Sequence, residues 1–391
     1  MKIRTPRYYK DFKCIAGACT DTCCAGWDVD VDEDSYSYYK TVGGEFGKRL
    51  KSVMVPSEEG GCTFTLNEGR CPFLNNENLC DLYTELGEDK LCDTCAEFPR
   101  FINEYGSLRE IGIAPSCITA GEIIFNYKDK LTFDMEENNQ FITSYNDIDP
   151  LTYKELTHAR NAAYSLVQDR TRTINERCIL LLEYAYKIQK KLDAEQDHLI
   201  SGVVKAFAQK DYCDKIVEKR LKSHAGISTA YDNVCRYFET FKGMEVINPD
   251  WNDCLKVQKE FMEYCRSNGG EDEYVSAYNK FDIYYQDRMF EYEQLLSYYV
   301  YRYFLDAVYD YNVLLKVKNG IVGYLCLKQL DVAKWHMNGH VLSKAEQIDM
   351  AHLYSRQFEH SYSNFETYSE FFEKRRIYSR ERLIRILMDT L

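Results

Sequence analysis

The pattern of hydrophobic and polar positions changes near residue 135. Before this point, apolar residues alternate with polar ones over short stretches such as 61–69 and 107–113, which predicts β-strands. After it, apolar residues recur at helical spacing over long segments. These segments are residues 150–192, 195–222, 227–242, 252–266, 286–318, 321–336 and 343–389. The pattern predicts a mainly α protein, with a small α+β N-terminal domain (residues 1–135) followed by a large all-α domain (residues 136–391).

The predicted N-terminal domain is rich in cysteine. The chain has 16 cysteines, and ten of them precede residue 118. Four lie in the run Cys14-Ile-Ala-Gly-Ala-Cys-Thr-Asp-Thr-Cys-Cys-Ala-Gly-Trp27, called the cysteine run below. The other six are Cys62, Cys71, Cys80, Cys92, Cys95 and Cys117. Such a density indicates a site, and we predict that residues 1–135 form a metal-binding domain.

Three chemistries could use these thiols. Iron–sulfur clusters take thiolates at irregular spacings, often with one distant ligand, which favours an iron–sulfur centre, with 4Fe-4S as the expected type. Zinc is the alternative, although only Cys92 and Cys95 have the paired spacing of a zinc knuckle. Disulfides are the third, but a bond between the adjacent Cys23 and Cys24 would be strained, and no signal peptide is evident.

Composition narrows the functional classes. The net charge of −13 argues against nucleic acid as the main partner, because phosphate binding needs clustered lysine and arginine. The same charge would tolerate, and could attract, a basic protein substrate. No stretch of 18 apolar residues is present, so we expect no membrane span and a cytoplasmic location.

A second candidate site lies in the last predicted helix. His352, Arg356, His360 and Asn364 are each four residues apart, so they should share one helix face, with Glu359 alongside. This face is too polar to be core. It is either solvated or lines a functional pocket.

Two residues near the cysteines are further candidates. Trp27 could cover the metal site as an apolar lid, or it could be an ordinary core tryptophan. Arg100 follows Pro99, which should end the helix after Cys95, so Arg100 could bind an anion near the site or form a surface salt bridge.

Familiar cofactor motifs are missing. No G-x-G-x-x-G follows a strand, and there is no Walker sequence. The cysteine run begins a C-x3-C-x2-C radical S-adenosylmethionine triplet with Cys19 and Cys23, but Gly26 occupies its third position. The sequence therefore contains no motif typical of these nucleotide-binding or radical S-adenosylmethionine sites.

Several of these motifs together resemble one family. Six motifs are concerned: the cysteine run, Cys71-Pro-Phe-Leu with Cys80, Cys95-x-x-Phe-Pro-Arg100, Cys117, Tyr-Arg-Tyr-Phe at 301–304 and Tyr354-Ser-Arg-x-x-Glu-His-Ser-x-x-Asn364. Together they are similar to the motifs of the cysteine-rich, metal-chelating family of FliB-type flagellin lysine N-methylases. The family's eight-cysteine pattern maps onto Cys14, Cys19, Cys23, Cys24, Cys71, Cys80, Cys95 and Cys117. Cys62 and Cys92 fall outside it.

The resemblance implies methyl transfer to lysines of flagellin, with S-adenosylmethionine as donor and an iron–sulfur centre. Because lysine must lose a proton before it attacks, we expect a base or a desolvated pocket, and the candidate catalytic residues are His360, Glu359 and Tyr354. Arg100, Arg356, Asn364 and Trp27 are the candidate cofactor-binding residues. The alternative is a non-catalytic iron–sulfur or zinc module for redox sensing or protein interaction.

Overall fold

Helices make up most of the chain in a computed structural model, which describes residues 1–57, 60–140, 148–223 and 229–390. The α-helices are α1 (Glu33–Thr41), α2 (Gly44–Val53), α3 (Asp81–Leu86), α4 (Asp93–Glu97), α5 (Ile118–Asn126), α6 (Pro150–Val167), α7 (Ile174–Leu192), α8 (Ile200–Phe207), α9 (Lys210–Ser223), α10 (Ala230–Thr240), α11 (Trp251–Ser267), α12 (Glu271–Tyr285), α13 (Phe290–Tyr303), α14 (Ala307–Asp310), α15 (Val313–Met337), α16 (Lys344–Glu359), α17 (Tyr362–Lys374) and α18 (Arg380–Asp389). The predicted mainly α fold is confirmed. None of the described helices is long and apolar enough to cross a bilayer.

Two small sheets lie in the N-terminal third. The strands are β1 (Lys2–Pro6), β2 (Val29–Val31), β3 (Met54–Pro56), β4 (Cys62–Phe64), β5 (Arg100–Tyr105), β6 (Leu108–Ile113) and β7 (Phe133–Glu137). The larger sheet has the order β5-β6-β1-β7, with β1 parallel to β6 and antiparallel to β7. Ile3 pairs with Arg109 on one side and with Glu136 on the other. The smaller sheet has the order β2-β4-β3.

The buried apolar residues form two cores. The larger core joins the four-stranded sheet to the helices: Tyr105 and Ile113 belong to the same cluster as Tyr301. The smaller core holds the three-stranded sheet, α1, α2 and α3, with Phe64 and Phe73 at its centre. The cysteine-rich core, with the residues packed against it, thus lies between residues 24 and 95, and the predicted division at residue 135 falls inside β7, which pairs with β1.

The C-terminal helices pack around α15. This helix is buried along most of its length and packs against α7, α11 and α13. Helix α16 begins with a capping box, in which Ser343 and Glu346 satisfy each other's backbone N–H groups. It packs against α5, the helix that follows Cys117.

Most predicted elements exist, but the long helical segments are divided. β6 matches the predicted strand at 107–113. The predicted helix at 343–389 is wrong as a single element, because α16 ends at Glu359 and Ser361 caps the separate helix α17 by accepting from the Asn364 N–H. Asn364 is therefore not on the same continuous helix as His352 and Arg356.

Candidate functional site at the cysteine-run junction

Asp21 fastens the cysteine run to α16. Its carboxylate lies 2.6 Å from Arg356 Nη1 and 2.7 Å from His352 Nε2. Asn248 Nδ2 also donates to Asp21 Oδ2, at 2.7 Å. Burial alone would raise the pKa of Asp21, but the His352 hydrogen bond and the Arg356 charge together hold that pKa below its ordinary value. Asp21 is thus an ionised anchor, and no sequence motif had singled it out.

The polar face of α16 is interior. His352 is 0% exposed and Arg356 is 2% exposed, so the solvated interpretation of this face is wrong. His352 Nδ1 lies 3.3 Å from the Pro115 carbonyl oxygen, and Arg356 Nη2 donates to the Thr22 carbonyl at 2.9 Å. These side chains are paired with the cysteine run and with the turn before Cys117. The face therefore lines the junction between the two parts of the chain.

Gly26 allows the cysteine run to approach the helical part closely. Its φ is +93°, a left-handed conformation that suits glycine. A Cβ at this position would lie 2.7 Å from the Ile247 carbonyl oxygen. Gly26, which breaks the radical S-adenosylmethionine spacing, is therefore explained by the backbone contact next to Trp27.

An aromatic group lies beside this anchor, and we call Trp27, Phe98 and His360 the aromatic wall. Trp27 stacks on the His360 ring with centroids 5.0 Å apart, and Phe98 meets that ring edge-on at 5.4 Å. The Arg356 guanidinium lies 4.5 Å from the Trp27 ring centroid. All three wall residues are half-buried. The wall therefore presents aromatic surface at the place where the cysteine run meets α16.

His360 is held neutral. Its Nε2 lies 2.6 Å from Ser116 Oγ. Burial, followed by the positive charges of Arg302 and Arg356, lowers the pKa of His360 to about 3. A neutral imidazole with so low a pKa is a poor proton acceptor at neutral pH. The position of His360 suits a wall residue better than the general base that the sequence suggested.

Glu359 faces a different set of groups. It accepts hydrogen bonds from the hydroxyls of Tyr298 at 2.7 Å, Tyr303 at 2.6 Å and Ser355 at 2.7 Å. Arg302 Nη1 lies 2.8 Å from the same carboxylate. With four donors around it, Glu359 is an anchor for α13 and has little capacity left to accept a substrate proton.

The structure does not bring Tyr354 or Asn364 to the aromatic wall. Tyr354 is 2% exposed and its hydroxyl lies 2.7 Å from that of Tyr368, inside the aromatic core. Asn364 donates to the carbonyl oxygens of Glu245 at 2.8 Å and Gln357 at 3.0 Å. Both side chains hold helices together.

Arg100 begins β5 and lies close to the chain's first residues. Its Nε donates to the Tyr9 hydroxyl at 3.1 Å, and its guanidinium lies 5.2 Å from the Phe12 ring centroid. Within the described part of the chain it forms no ion pair, so the predicted surface salt bridge is absent there. Its role as an anion-binding residue stays a prediction.

Nine of the ten N-terminal cysteines form two groups of thiols. All sixteen are free, which excludes the disulfide alternative in this structure. The first thiol group is Cys14, Cys19, Cys23 and Cys117, whose charges act on one another: burial, followed by the charges of Cys19 and Cys14, raises the pKa of Cys117. Cys117 lies directly before α5, so the first thiol group joins the cysteine run to that helix.

The second thiol group is Cys24, Cys71, Cys80, Cys92 and Cys95. All five belong to the smaller core or pack against it, and the Cys71 N–H donates to the Cys24 carbonyl at 2.8 Å. Burial, followed by the charges of Cys24, Cys80 and Cys92, raises the pKa of Cys71 to about 12. Cys92 is in this group because its thiol hydrogen-bonds with that of Cys95. The eight-cysteine pattern had left Cys92 out.

The adjacent Cys23 and Cys24 connect the two groups. A hydrogen bond from the Cys23 thiol lowers the pKa of Cys24 to about 7, so Cys24 has thiolate character at neutral pH. These donors fit a soft metal centre in kind, because thiolate is the ligand of iron–sulfur clusters and of structural zinc. The thiols of each group lie near one another. However, among the described residues, no three His, Cys, Asp or Glu side chains are arranged to hold a metal ion.

Known proteins resemble this chain over part of its length. A model of the FliB lysine N-methylase C-terminal domain matches residues 160–386. The flagellar biosynthetic protein FliU of Salmonella muenchen is 26% identical over 144 residues, which is 33% of this chain and 80% of that protein. The lysine-N-methylases of Salmonella choleraesuis (strain SC-B67) and Salmonella typhimurium (strain LT2) are each 25% identical over 144 residues. That aligned stretch is 33% of this chain and 34% of each of these two relatives.

No solved structure matches this chain. The family match covers more than half of the chain and includes α16, with Arg356 and Glu359, and the following His360. The family resemblance predicted from the motifs is therefore confirmed. The chain belongs to the FliB lysine N-methylase family.

Proposed function

We propose that this chain is a protein-lysine N-methyltransferase that acts on flagellin, with S-adenosylmethionine as methyl donor. The observation that carries the proposal is the family match over residues 160–386, which contains one side of the cysteine-run junction. Two of the relatives are named lysine-N-methylase and a third is named flagellar biosynthetic protein FliU, which supports a lysine substrate in a flagellar context.

The aromatic wall is the surface best suited to the reacting groups. S-adenosylmethionine, when bound, supplies an electrophilic methyl group on a sulfonium. Aromatic faces attract onium cations, and Trp27 is the strongest of the three in this respect. The neutral His360 adds no positive charge, and Arg356, the cation that already lies against Trp27, is paired with the Asp21 carboxylate. Trp27, Phe98 and His360 would therefore hold the cationic groups and exclude water from one side.

The residues at the wall also limit how the lysine loses its proton. A bond forms between the lysine nitrogen and the methyl carbon while the sulfur–methyl bond breaks, so the amine must first be neutral. His360 is a weak proton acceptor, and Glu359 is occupied by four donors. Desolvation against an apolar surface lowers the pKa of lysine. We propose that the proton passes to bulk water as the ammonium meets the wall.

We also propose that the thiols hold an iron–sulfur centre, with zinc as the alternative. The first and second thiol groups would supply the ligands, and Cys24 and Cys92 are prepared for this because a hydrogen bond from a neighbouring thiol already lowers the pKa of each. A metal centre would crosslink segments that only the chain fold has brought together, and its binding free energy would add to the stability of the smaller core. The support for this proposal is the donor chemistry and the gathering of the thiols.

The functional proposal is tested by co-expressing the chain with flagellin and measuring flagellin lysines by peptide mass spectrometry. We expect one or more lysines to carry added methyl groups, and purified protein to transfer a labelled methyl group from S-adenosylmethionine to flagellin. Unmodified flagellin in both assays, with the metal centre intact, would favour the non-catalytic metal-binding module.

Removing a thiol should remove metal. Anaerobically purified wild-type protein should be brown, with iron and acid-labile sulfide in equal amounts, and Cys71→Ser should lose most of both because the second thiol group is then incomplete. Cys254→Ser is the matched control, since Cys254 lies in α11 outside both groups and should leave the metal content unchanged. Colourless wild-type protein that contains zinc would contradict the iron–sulfur assignment and support the zinc alternative.

A further inference from the structure

A cleft rich in arginine lies at the end of the chain, away from the residues of the cysteine-run junction. It has a volume of about 510 Å³ and is formed by α9, α18 and the turn that precedes α18. Among the residues that the structure describes, its charged lining consists of Arg220, Arg376, Arg382 and Arg385 against one carboxylate, that of Glu381. In a chain of net charge −13, this concentration of positive charge needs an explanation.

Two carboxylates near the cleft pair with arginines of the fold. Glu381 pairs with Arg220 at 2.6 Å and also with Arg380. Glu183 pairs with the same two arginines. Arg220 and Arg380 therefore have their counter-charges in the fold.

Three other arginines of the cleft have no carboxylate partner in the described part of the chain. In residues 1–57, 60–140, 148–223 and 229–390, no carboxylate forms an ion pair with Arg376, Arg382 or Arg385. Arg382 and Arg385 are three residues apart on α18, so they are neighbours on its surface, where like charges destabilise a helix. An anion between them would remove this repulsion.

The volume and the lining of the cleft indicate which class of anion it would bind. Its volume is in the range of small-molecule sites and is far larger than one phosphate needs. Ile384 and Met388 form an apolar part of the lining. Guanidinium groups bind phosphate oxygens in a bidentate manner, which favours phosphates over isolated carboxylates. A ligand with two or three linked phosphates could meet several arginines at once.

Two other occupants fit less well. A lysine ammonium or a sulfonium would be repelled by the arginines, so this is not the methyl-transfer site. A long acidic polypeptide would be repelled by the chain's net charge of −13, whereas a small ligand inside the cleft meets mainly the local positive field.

We propose that the cleft between α9 and α18 binds a small polyphosphate-bearing molecule of nucleoside di- or triphosphate size through Arg376, Arg382 and Arg385. This site is independent of the proposed methyl transfer. The test is calorimetric titration of the full chain with ATP, with inorganic tripolyphosphate and with adenosine. We expect saturable binding of ATP and tripolyphosphate and none of adenosine. Tighter binding of ATP than of tripolyphosphate would identify a nucleotide as the ligand, and equal binding an inorganic polyphosphate.

The variants make the assignment specific. The double variant Arg382→Gln, Arg385→Gln should weaken ATP binding by at least about tenfold, because the charge-assisted hydrogen bonds from both guanidinium groups to the phosphates are lost. Arg236→Gln is the matched control, since Arg236 is an exposed arginine on α10 outside the cleft. Circular dichroism should show unchanged helix content in both. Absence of saturable binding, or equal ATP affinity in the double variant, would overturn the proposal.

Discussion

Replacing Asp21 with asparagine is expected to lower the free energy of unfolding by about 2–4 kcal/mol. The substitution leaves Arg356 and His352 buried without the carboxylate that they share. Breaking a fully buried ion pair costs about 3–5 kcal/mol, and the 24% exposure of the Asp21 side chain reduces this somewhat. Urea denaturation followed by circular dichroism measures the change.

The same variant should also lose methylation of flagellin. Without the anchor, the cysteine run is no longer fixed to α16, and the stacking of Trp27 on His360 depends on that attachment. Asp28→Asn is the control because Asp28 is exposed and close to the same run. Equal stability of the Asp21 variant and wild type, or equal losses in the two variants, would show that Asp21 is not an anchor.

His360→Gln is expected to reduce the rate of flagellin methylation on the order of 100-fold, the cost of misplacing reacting groups by about an ångström. Glutamine can still bond to Ser116 but offers no ring to Trp27 and Phe98. His360→Phe keeps the ring and should recover much of the rate. The measurement is transfer of labelled methyl groups to purified flagellin, with kcat and KM determined separately.

Tyr354→Phe is the matched control for this prediction. It removes the hydroxyl that contacts Tyr368 in the aromatic core, which should cost about 1 kcal/mol of stability. The methylation rate should stay at the wild-type level, because Tyr354 does not reach the aromatic wall. Full activity of both His360→Gln and His360→Phe would exclude the wall as the reaction site, and an active His360→Gln beside an inactive His360→Phe would indicate a hydrogen-bonding role for His360 instead.

Local patterns in the sequence predicted the parts of the site that depend on residue type and spacing. The thiol density and its irregular spacing identified the N-terminal region, and the four-residue spacing of His352, Arg356 and His360 identified the end of α16. A pattern shows which residues share a face, but it does not show what covers that face. The solvated interpretation of the α16 face failed for this reason, since the cysteine run covers it.

Long-range pairing explains the residues that the sequence did not identify. Asp21 lies between two cysteines, and its partners on α16 are more than 300 positions away. Cys92 lies outside the family pattern but joins the second thiol group through Cys95. The break between α16 and α17 is a different case, because its cause is local. Ser361 accepts a hydrogen bond from the Asn364 N–H and so caps a new helix where the periodicity predicted one longer helix.

The amino-acid sequence by itself determined that the protein is mainly α-helical, rich in N-terminal thiols and related to the FliB lysine N-methylases. Periodicity, capping residues and motif spacing are local properties, so they can be read along the chain. Only the tertiary structure decided how the thiols divide into two groups, which carboxylate neutralises Arg356, and that His360 stays neutral. These properties depend on burial and on charges brought together from distant segments, because the pKa of a buried group responds to its neighbours in space.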